Sequence, residues 1–216
     1  MINVEHIFKS VKDLASKDKA GYFSSDEFNR ASRLAEDELY GELLQGYEGT
    51  KQVSDFLRPF VAETTIPCPN GVSATPANFG RAIEVQALVV QNTDSEPALT
   101  LKPARYIHPQ EVAASYENTI RAPKEGVMYR YTNDAGGLRI FPGAHAIKLR
   151  YLMIPTYAVR GYTVDTVNLE EDFNQGASTD YQWPAEASPL VVNKILRLLG
   201  FAARSPEIVS FTNTQQ

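Results

Sequence analysis

The sequence predicts an α+β protein in which helical segments at both ends flank a β-rich middle. Near both ends, apolar residues recur every three or four positions, as they do in amphipathic helices. Between them, runs rich in Thr, Val, Ile and Tyr are interrupted by Pro, Gly and Asn, which is typical of strands and turns. We therefore expect an N-terminal helical hairpin, a central mainly antiparallel β-sheet or sandwich with one inserted helix, and a C-terminal helix that packs back on the helical part.

Two apolar patterns predict the N-terminal hairpin. Ile7, Val11 and Leu14 are spaced by four and three residues, which indicates a short first helix. A second helix is expected over about 25–45, with Ser25 as its N-cap. Its apolar stripe consists of Phe28, Ala31, Ala35, Leu39 and Leu43, with Leu34 beside it. Its charged remainder consists of Arg30, Arg33, Glu36, Asp37 and Glu42.

The β-rich middle follows Pro59, where a short third helix is expected to stop. Alternating apolar residues, such as Leu138 with Ile140, indicate half-buried strands, and 133–137 carries a turn signal between two of them. The expected strands are 60–66, 83–91, 128–132, 138–141 and 146–154. The inserted helix is expected at 108–118, and a long polar loop or arm at 162–181.

The C-terminal helix is expected to start at Ser188, because Ser188-Pro189 combines an N-cap residue with a first-turn proline. Ser205-Pro206 repeats this start signal for a last short segment. The domains implied by these elements are 1–58, 59–184 and 185–216, the last joined to the N-terminal helices.

Composition narrows the classes of function. A hydrophobic fraction of 43% indicates a packed core, and a net charge of −5 disfavours a dedicated nucleic-acid binder. The single cysteine, Cys68, excludes an intramolecular disulfide and fits a reducing compartment. There is no signal-peptide pattern and no apolar run near the roughly 20 residues that a membrane-spanning helix needs. We expect a protein made in a cytoplasm-like compartment, without membrane association.

Sequence motifs typical of catalytic, metal-binding or cofactor-binding sites are sparse. Residues 16–27 resemble a calcium loop, with Gly21 and Glu27 at the expected positions, but Ser16 and Ala20 replace two ligands. A glycine turn joined to a capped helix accounts for the same residues. The histidines and the cysteine lack partners at metal-ligand or nucleophile spacing; they are His6, His108, His145 and Cys68. No phosphate loop or dinucleotide fingerprint occurs. We expect no catalytic residue, no metal and no cofactor, and therefore not an enzyme.

A series of short motifs follows the element order: KAGYFSSDEF at 19–28, YIHPQEV at 106–112, NTIRAP at 118–123, LRIFP at 138–142, AIKLRYLMIP at 146–155 and YQWP at 181–184. In this order they resemble head–tail connector proteins (adaptor or neck ring proteins) of tailed double-stranded DNA bacteriophages, of the crAss-like or other Bacteroidetes-phage type. The plan is also similar to that of tail-tubular gatekeeper proteins.

The resemblance implies a virion structural protein that forms a homo-oligomeric ring, usually of twelve subunits, beneath the portal in the phage neck. Such a ring extends the DNA channel, contacts the portal protein and the next tail or neck ring protein, and passes genomic DNA without sequence-specific binding. Assembly would occur in the host cytoplasm. The candidate portal-docking segment contains Ser205, Pro206, Ile208, Val209 and Phe211. Candidate acids for the channel surface are Asp37, Glu42, Glu170 and Glu171.

Two other classes of function stay open. A different virion structural role, in the tail or in head completion, fits the same architecture. A carbohydrate- or ligand-binding β-domain would use exposed aromatic side chains, for which the candidates are Tyr151, Tyr157, Tyr162 and Trp183. An enzyme would need a pocket with convergent polar groups, which the sequence does not indicate.

Overall fold

The computed structural model describes residues 1–17, 22–47, 51–92, 97–117, 122–134, 137–168 and 170–201. The fold is α+β, as predicted, and the chain divides into two compact units. The helical unit comprises Met1–Phe60 and Pro155–Gln216, and the sheet unit comprises Val61–Ile154. The sheet unit is thus inserted into the helical unit. Residues 155–184 group with the helices, whereas the sequence pattern predicts that they belong to the β-rich domain.

The helical unit contains helices α1 (Val4–Lys17), α2 (Ser25–Gly46), α3 (Lys51–Leu57) and α5 (Ser188–Leu198). The N-cap of α2 is Ser24, one residue before the predicted one. Its hydroxyl accepts a hydrogen bond from the backbone N–H of Glu27 at 3.2 Å, and the Glu27 carboxylate accepts from the backbone N–H of Ser24 at 2.9 Å. This capping box satisfies two N–H groups that the first helical turn leaves without partners. It also lowers the pKa of Glu27.

Aromatic rings join α1 to α2, and α5 packs against both helices. The Phe8 ring contacts Phe28 edge-on, with centroids 5.1 Å apart, and Phe60 contacts Trp183 at 4.7 Å. The apolar side of α5 is buried through Val191, Val192, Ile195 and Leu196. The predicted packing of the C-terminal helix on the N-terminal helices is therefore confirmed.

The sheet unit contains one seven-stranded sheet in the order β1-β7-β3-β4-β5-β6-β2. The strands are β1 (Val61–Pro67), β2 (Val72–Ser73), β3 (Phe79–Asn92), β4 (Pro97–Tyr106), β5 (Tyr129–Asp134), β6 (Gly137–Phe141) and β7 (Ala146–Met153). Neighbouring strands run antiparallel except β4 and β5. The five predicted strands are present, and β2 and β4 were not predicted. The inserted helix is α4 (Val112–Glu117), preceded by a 3₁₀ turn.

One face of this sheet forms a continuous apolar core. Its buried side chains alternate along the strands, as expected when only one face is covered. They include Val85, Ala87 and Val89 of β3, Ile147 and Leu149 of β7, Tyr129 of β5, and Leu138 and Ile140 of β6. The opposite face of β3 and β4 consequently points away from this core.

Candidate functional site

The buried polar groups of the helical unit converge on Glu36 of α2. The sequence pattern predicts that Glu36 lies on the charged face of the helix, but its exposed fraction is 1%. One carboxylate oxygen accepts a hydrogen bond from the backbone N–H of Ala158 at 2.9 Å, and the other accepts from Nε1 of Trp183 at 3.2 Å. Both oxygens are therefore used to attach residues 158–183 to α2.

Burial raises the pKa of Glu36 to about 7, although the hydrogen bonds from Ala158 and Trp183 act in the opposite direction. The negative charge of Asp37 adds to the rise. Nearby, the Tyr181 hydroxyl and Ser32 Oγ share a hydrogen bond of 2.6 Å, and burial raises the pKa of Tyr181. A carboxyl group that titrates near neutrality suits acid–base catalysis. Glu36 lacks the necessary access, so we assign it a structural role.

A second buried network centres on Arg160, whose exposed fraction is 4%. Its Nε donates to Glu5 at 2.7 Å, and Nη1 donates to the hydroxyl of Ser25. The side chain of Asn29 exchanges two hydrogen bonds with the Arg160 backbone, at 3.0 and 2.8 Å. The guanidinium carbon lies 3.9 Å from the centroid of the Phe8 ring. Arg160 thereby fixes the first turns of α1 and α2 against each other.

The sequence predicts a long polar loop or arm at 162–181, whereas the structure shows paired strands within this range. The range contains the strand pair β8 (Tyr162–Val164) and β9 (Glu171–Phe173), and bridges join Val159 to Thr179 and Ile2 to Tyr181. Two side chains of this segment attach it to the starts of α1 and α2. Asp180 accepts a hydrogen bond from the backbone N–H of Val4 at 2.9 Å, and Glu171 accepts one from the backbone N–H of Ser25. These residues form part of the scaffold.

An apolar surface lies on the face of β3 and β4 that points away from the core. Val90 is paired with Leu99, and Leu88 with Leu101. The exposed fractions are 49% for Val90, 60% for Leu99 and 44% for Leu101, and Leu88 is half-buried. We call these four residues the ribbon face. Sequence reasoning missed it because β4 itself was not predicted.

A groove of about 390 Å³, with both apolar and charged residues in its walls, lies between the start of α2 and the end of α5. We call it the exit groove, since the chain leaves α5 there. Its walls are formed by Tyr22, Phe23, Glu27, Arg30, Ala31, Leu34, Leu198, Leu199 and Phe201. Leu34 was predicted to lie beside the apolar stripe of α2, and the structure places it at the groove with an exposed fraction of 54%.

A second depression, of about 520 Å³, lies over the N-terminal half of α2. The Arg33 guanidinium stacks on the ring of Tyr157 at 4.5 Å, and the Tyr157 hydroxyl donates to Asp37 at 2.7 Å. That hydrogen bond is the main reason why the pKa of Tyr157 is raised. Arg33, Tyr157 and Asp37 are therefore paired with one another at this depression.

The candidate portal-docking residues Ser205, Pro206, Ile208, Val209 and Phe211 lie outside the described residues. Two of the four candidate residues for a sugar platform are buried, since the exposed fraction is 0% for Trp183 and 5% for Tyr151. Tyr162 is half-buried.

Among the four candidate channel acids, Glu170 is exposed and Glu171 is half-buried against Ser25. Glu42 forms a salt bridge with Lys194 at 2.7 Å. Asp37 is exposed but accepts the hydrogen bond from Tyr157. Three of these acids, Glu171, Glu42 and Asp37, therefore take part in contacts within the helical unit.

In the part of the chain that the structure describes, no group of three His, Cys, Asp or Glu side chains is placed to hold a metal ion. Of residues 16–27, which resemble a calcium loop, 18–21 fall outside the described part of the chain. Glu27 belongs to the capping box of α2. Cys68 is buried, and burial raises the pKa of its thiol, which opposes a nucleophilic role. None of the described helices combines the length and the apolar character needed to cross a bilayer.

No protein-family model matches the chain, and no curated protein matches it.

Proposed function

We propose that this protein is a non-enzymatic structural subunit that forms a homo-oligomeric ring in the neck of a tailed bacteriophage, beneath the portal. The order of the sequence motifs supports the phage assignment. The observation that carries the proposal of self-association is the ribbon face, and its most suitable occupant is a second copy of the chain.

The ribbon face belongs to a part of the sheet in which β3 and β4 extend beyond the pairing of β3 with β7. The pairing of β3 with β7 ends where Leu88 meets Ala146, whereas β3 continues against β4 as far as Asn92. A two-stranded ribbon is only marginally stable in water by itself. Contiguous apolar side chains on such an element indicate a surface that becomes buried in an assembly.

The edge of β4 adds backbone groups to the same surface. In the described ranges, β4 pairs with β5 from Ala104 to Tyr106, which leaves its earlier residues without a strand neighbour on that side. Unpaired edges are templates for strand addition by another chain. In a ring, every subunit buries the ribbon face against a different surface of its neighbour, so one contact of modest size is repeated around the ring.

The buried polar networks support a structural role. Glu36 and Arg160, which are the buried charged residues in the part of the chain that the structure describes, are bonded to groups of the same unit. Their hydrogen bonds stabilise the scaffold.

The test substitutes Leu99 by Glu and measures the mass of the purified protein by light scattering, with negative-stain images of the particles. Wild type should form rings, and Leu99→Glu should be monomeric, because an isolated charge would be buried at each interface. Val127→Glu is the matched control, since Val127 is an exposed apolar residue of the same unit outside the ribbon face. A monomeric wild-type protein, or rings in the Leu99→Glu variant, would contradict the proposal.

Antibody labelling of virions tests the proposed position of the protein in the virion. Label at the vertex between head and tail supports a neck ring, whereas label on the distal tail favours the alternative virion role.

A further inference from the structure

The edge of β4 that faces away from β3 offers backbone hydrogen-bonding groups at two leucines. Successive residues of a strand direct their N–H and C=O groups to alternate edges. The N–H of Ile107, just after β4, donates to the carbonyl of Tyr131 in β5 at 2.9 Å, so the odd-numbered residues of β4 point to this side. In the described ranges, β5 pairs with β4 only from Ala104 onward. Leu99 and Leu101 therefore direct their N–H and C=O groups to an edge that no described strand covers.

Prolines limit this edge on both sides. Pro97 and Pro103 occupy odd-numbered positions like Leu99 and Leu101, and proline has no N–H group to donate. An added strand therefore finds donors at the two leucines and none at the prolines. The pattern is symmetric about Thr100, because a leucine lies one residue away on each side and a proline three residues away.

A symmetric edge fits a second copy of itself. When two β4 strands pair antiparallel about a two-fold axis at Thr100, Leu99 of each copy lies opposite Leu101 of the other. These leucines then form hydrogen-bonded pairs, in which each N–H donates to the opposite carbonyl. In this register both leucines lie opposite leucines and prolines lie opposite prolines, whereas a shift by two residues places a leucine opposite a proline.

Thr100 at the centre points independently to the same axis. Its side-chain oxygen is buried and has no hydrogen-bond partner among the described residues. On the two-fold axis the two Thr100 residues form a non-hydrogen-bonded pair, the type in which side chains lie closest together. Threonines opposite each other in neighbouring strands bond through their hydroxyl groups, so the second copy supplies the missing partner.

We propose that two free subunits pair edge to edge through β4, antiparallel about a two-fold axis at Thr100. The contact is confined to the segment between two prolines and is expected to be smaller than the roughly 1,000 Å² of a stable interface, so the dimer is weak and reversible. It occupies the edge that the proposed ring also uses. It is therefore a state of the subunit at concentrations too low for ring assembly, and it does not rest on the proposed function.

Disulfide trapping of Thr100→Cys in the full-length chain tests the axis. The two Cα atoms at this position would lie about 4.5 Å apart, within the range that a disulfide spans, so mild oxidation of dilute protein should give an interchain disulfide. The wild-type chain, whose Cys68 is buried, gives the background. Lys102→Cys is the matched control, because Lys102 is half-buried in the same strand and its two copies would lie roughly 14 Å apart. Absence of the disulfide at position 100, or equal trapping at both positions, overturns the proposal.

Charge substitutions at the exposed leucines test the register. In the Thr100→Cys chain, Leu99→Glu with Leu101→Lys places opposite charges in both cross-strand pairs, whereas Leu99→Glu with Leu101→Glu places like charges there. The first variant should be trapped about tenfold faster than the second, and equal rates overturn the proposal. Rings in the wild type without trapping at position 100 would leave the proposed function intact. Trapping at position 100 without rings would leave the dimer intact.

Discussion

Replacing Glu36 by Gln should remove a pH dependence of stability from the protein. The pKa of Glu36 is raised from 4.5 to about 7 in the folded state. Below pH 4.5 the carboxyl group is protonated in both the folded and the unfolded chain, so it contributes no pH dependence. As the pH rises from 4.5 to 7, the unfolded chain releases this proton and the folded chain retains it, which favours unfolding.

The magnitude follows from the difference between the two pKa values. At about 1.4 kcal/mol for each pH unit, the free energy of unfolding should fall by roughly 3 kcal/mol between pH 4.5 and pH 7, and the contribution should be constant above that range. In Glu36→Gln this fall is absent. The amide group of Gln cannot accept both hydrogen bonds from Trp183 and Ala158, which costs about 1–3 kcal/mol at every pH. The variant should therefore have a lower free energy of unfolding than wild type at pH 5. This difference in the free energy of unfolding should become smaller or change sign by pH 8.

Urea unfolding at several pH values between 5 and 8, followed by tryptophan fluorescence, measures this directly. Trp183 is the single tryptophan and contacts Glu36, so it reports on the site itself. Glu42→Gln is the control, because Glu42 is exposed on the same helix and should keep the wild-type slope. Equal slopes for wild type and Glu36→Gln would refute the reasoning.

Other substitutions in the helical unit have equally definite outcomes. Arg160→Met should lower the free energy of unfolding by about 3–5 kcal/mol, because Glu5 loses the partner of a mostly buried ion pair; a loss below about 1 kcal/mol would contradict this. Gly161→Ala should be destabilising, since a Cβ atom there would lie 2.6 Å from the backbone carbon of Ala177. Gly41→Ala should instead stabilise α2 by about 1 kcal/mol, since nothing lies within 4 Å of a Cβ atom at that position. The same urea assay ranks both glycine variants, and the reverse order would be inconsistent with the structure.

The helices and most strands could be predicted because their patterns are local. The capping box of α2 was also present as Ser24 and Glu27, three residues apart, although the prediction placed the cap at Ser25. The strand β4 was missed because Pro97, Lys102 and Pro103 interrupt its apolar alternation.

The buried polar networks and the ribbon face could not be predicted in this way. Glu36 binds Trp183, and Arg160 binds Glu5, across more than a hundred residues of sequence. On a helical pattern Glu36 is an ordinary solvent-facing charge, and only the fold of 155–184 buries it. The ribbon face likewise exists only because β3 and β4 pair in a particular register.

The insertion of Val61–Ile154 between the two parts of the helical unit has a consequence for synthesis on the ribosome. Helices α1 and α2 emerge first, but Trp183 and α5, against which they pack, are translated only after the whole sheet unit. The sheet unit is continuous and can fold as soon as it has emerged. The surfaces of α1 and α2 that pack against α5 stay uncovered throughout that interval. The nascent chain is therefore most susceptible to chaperone binding and to aggregation at its N-terminal end.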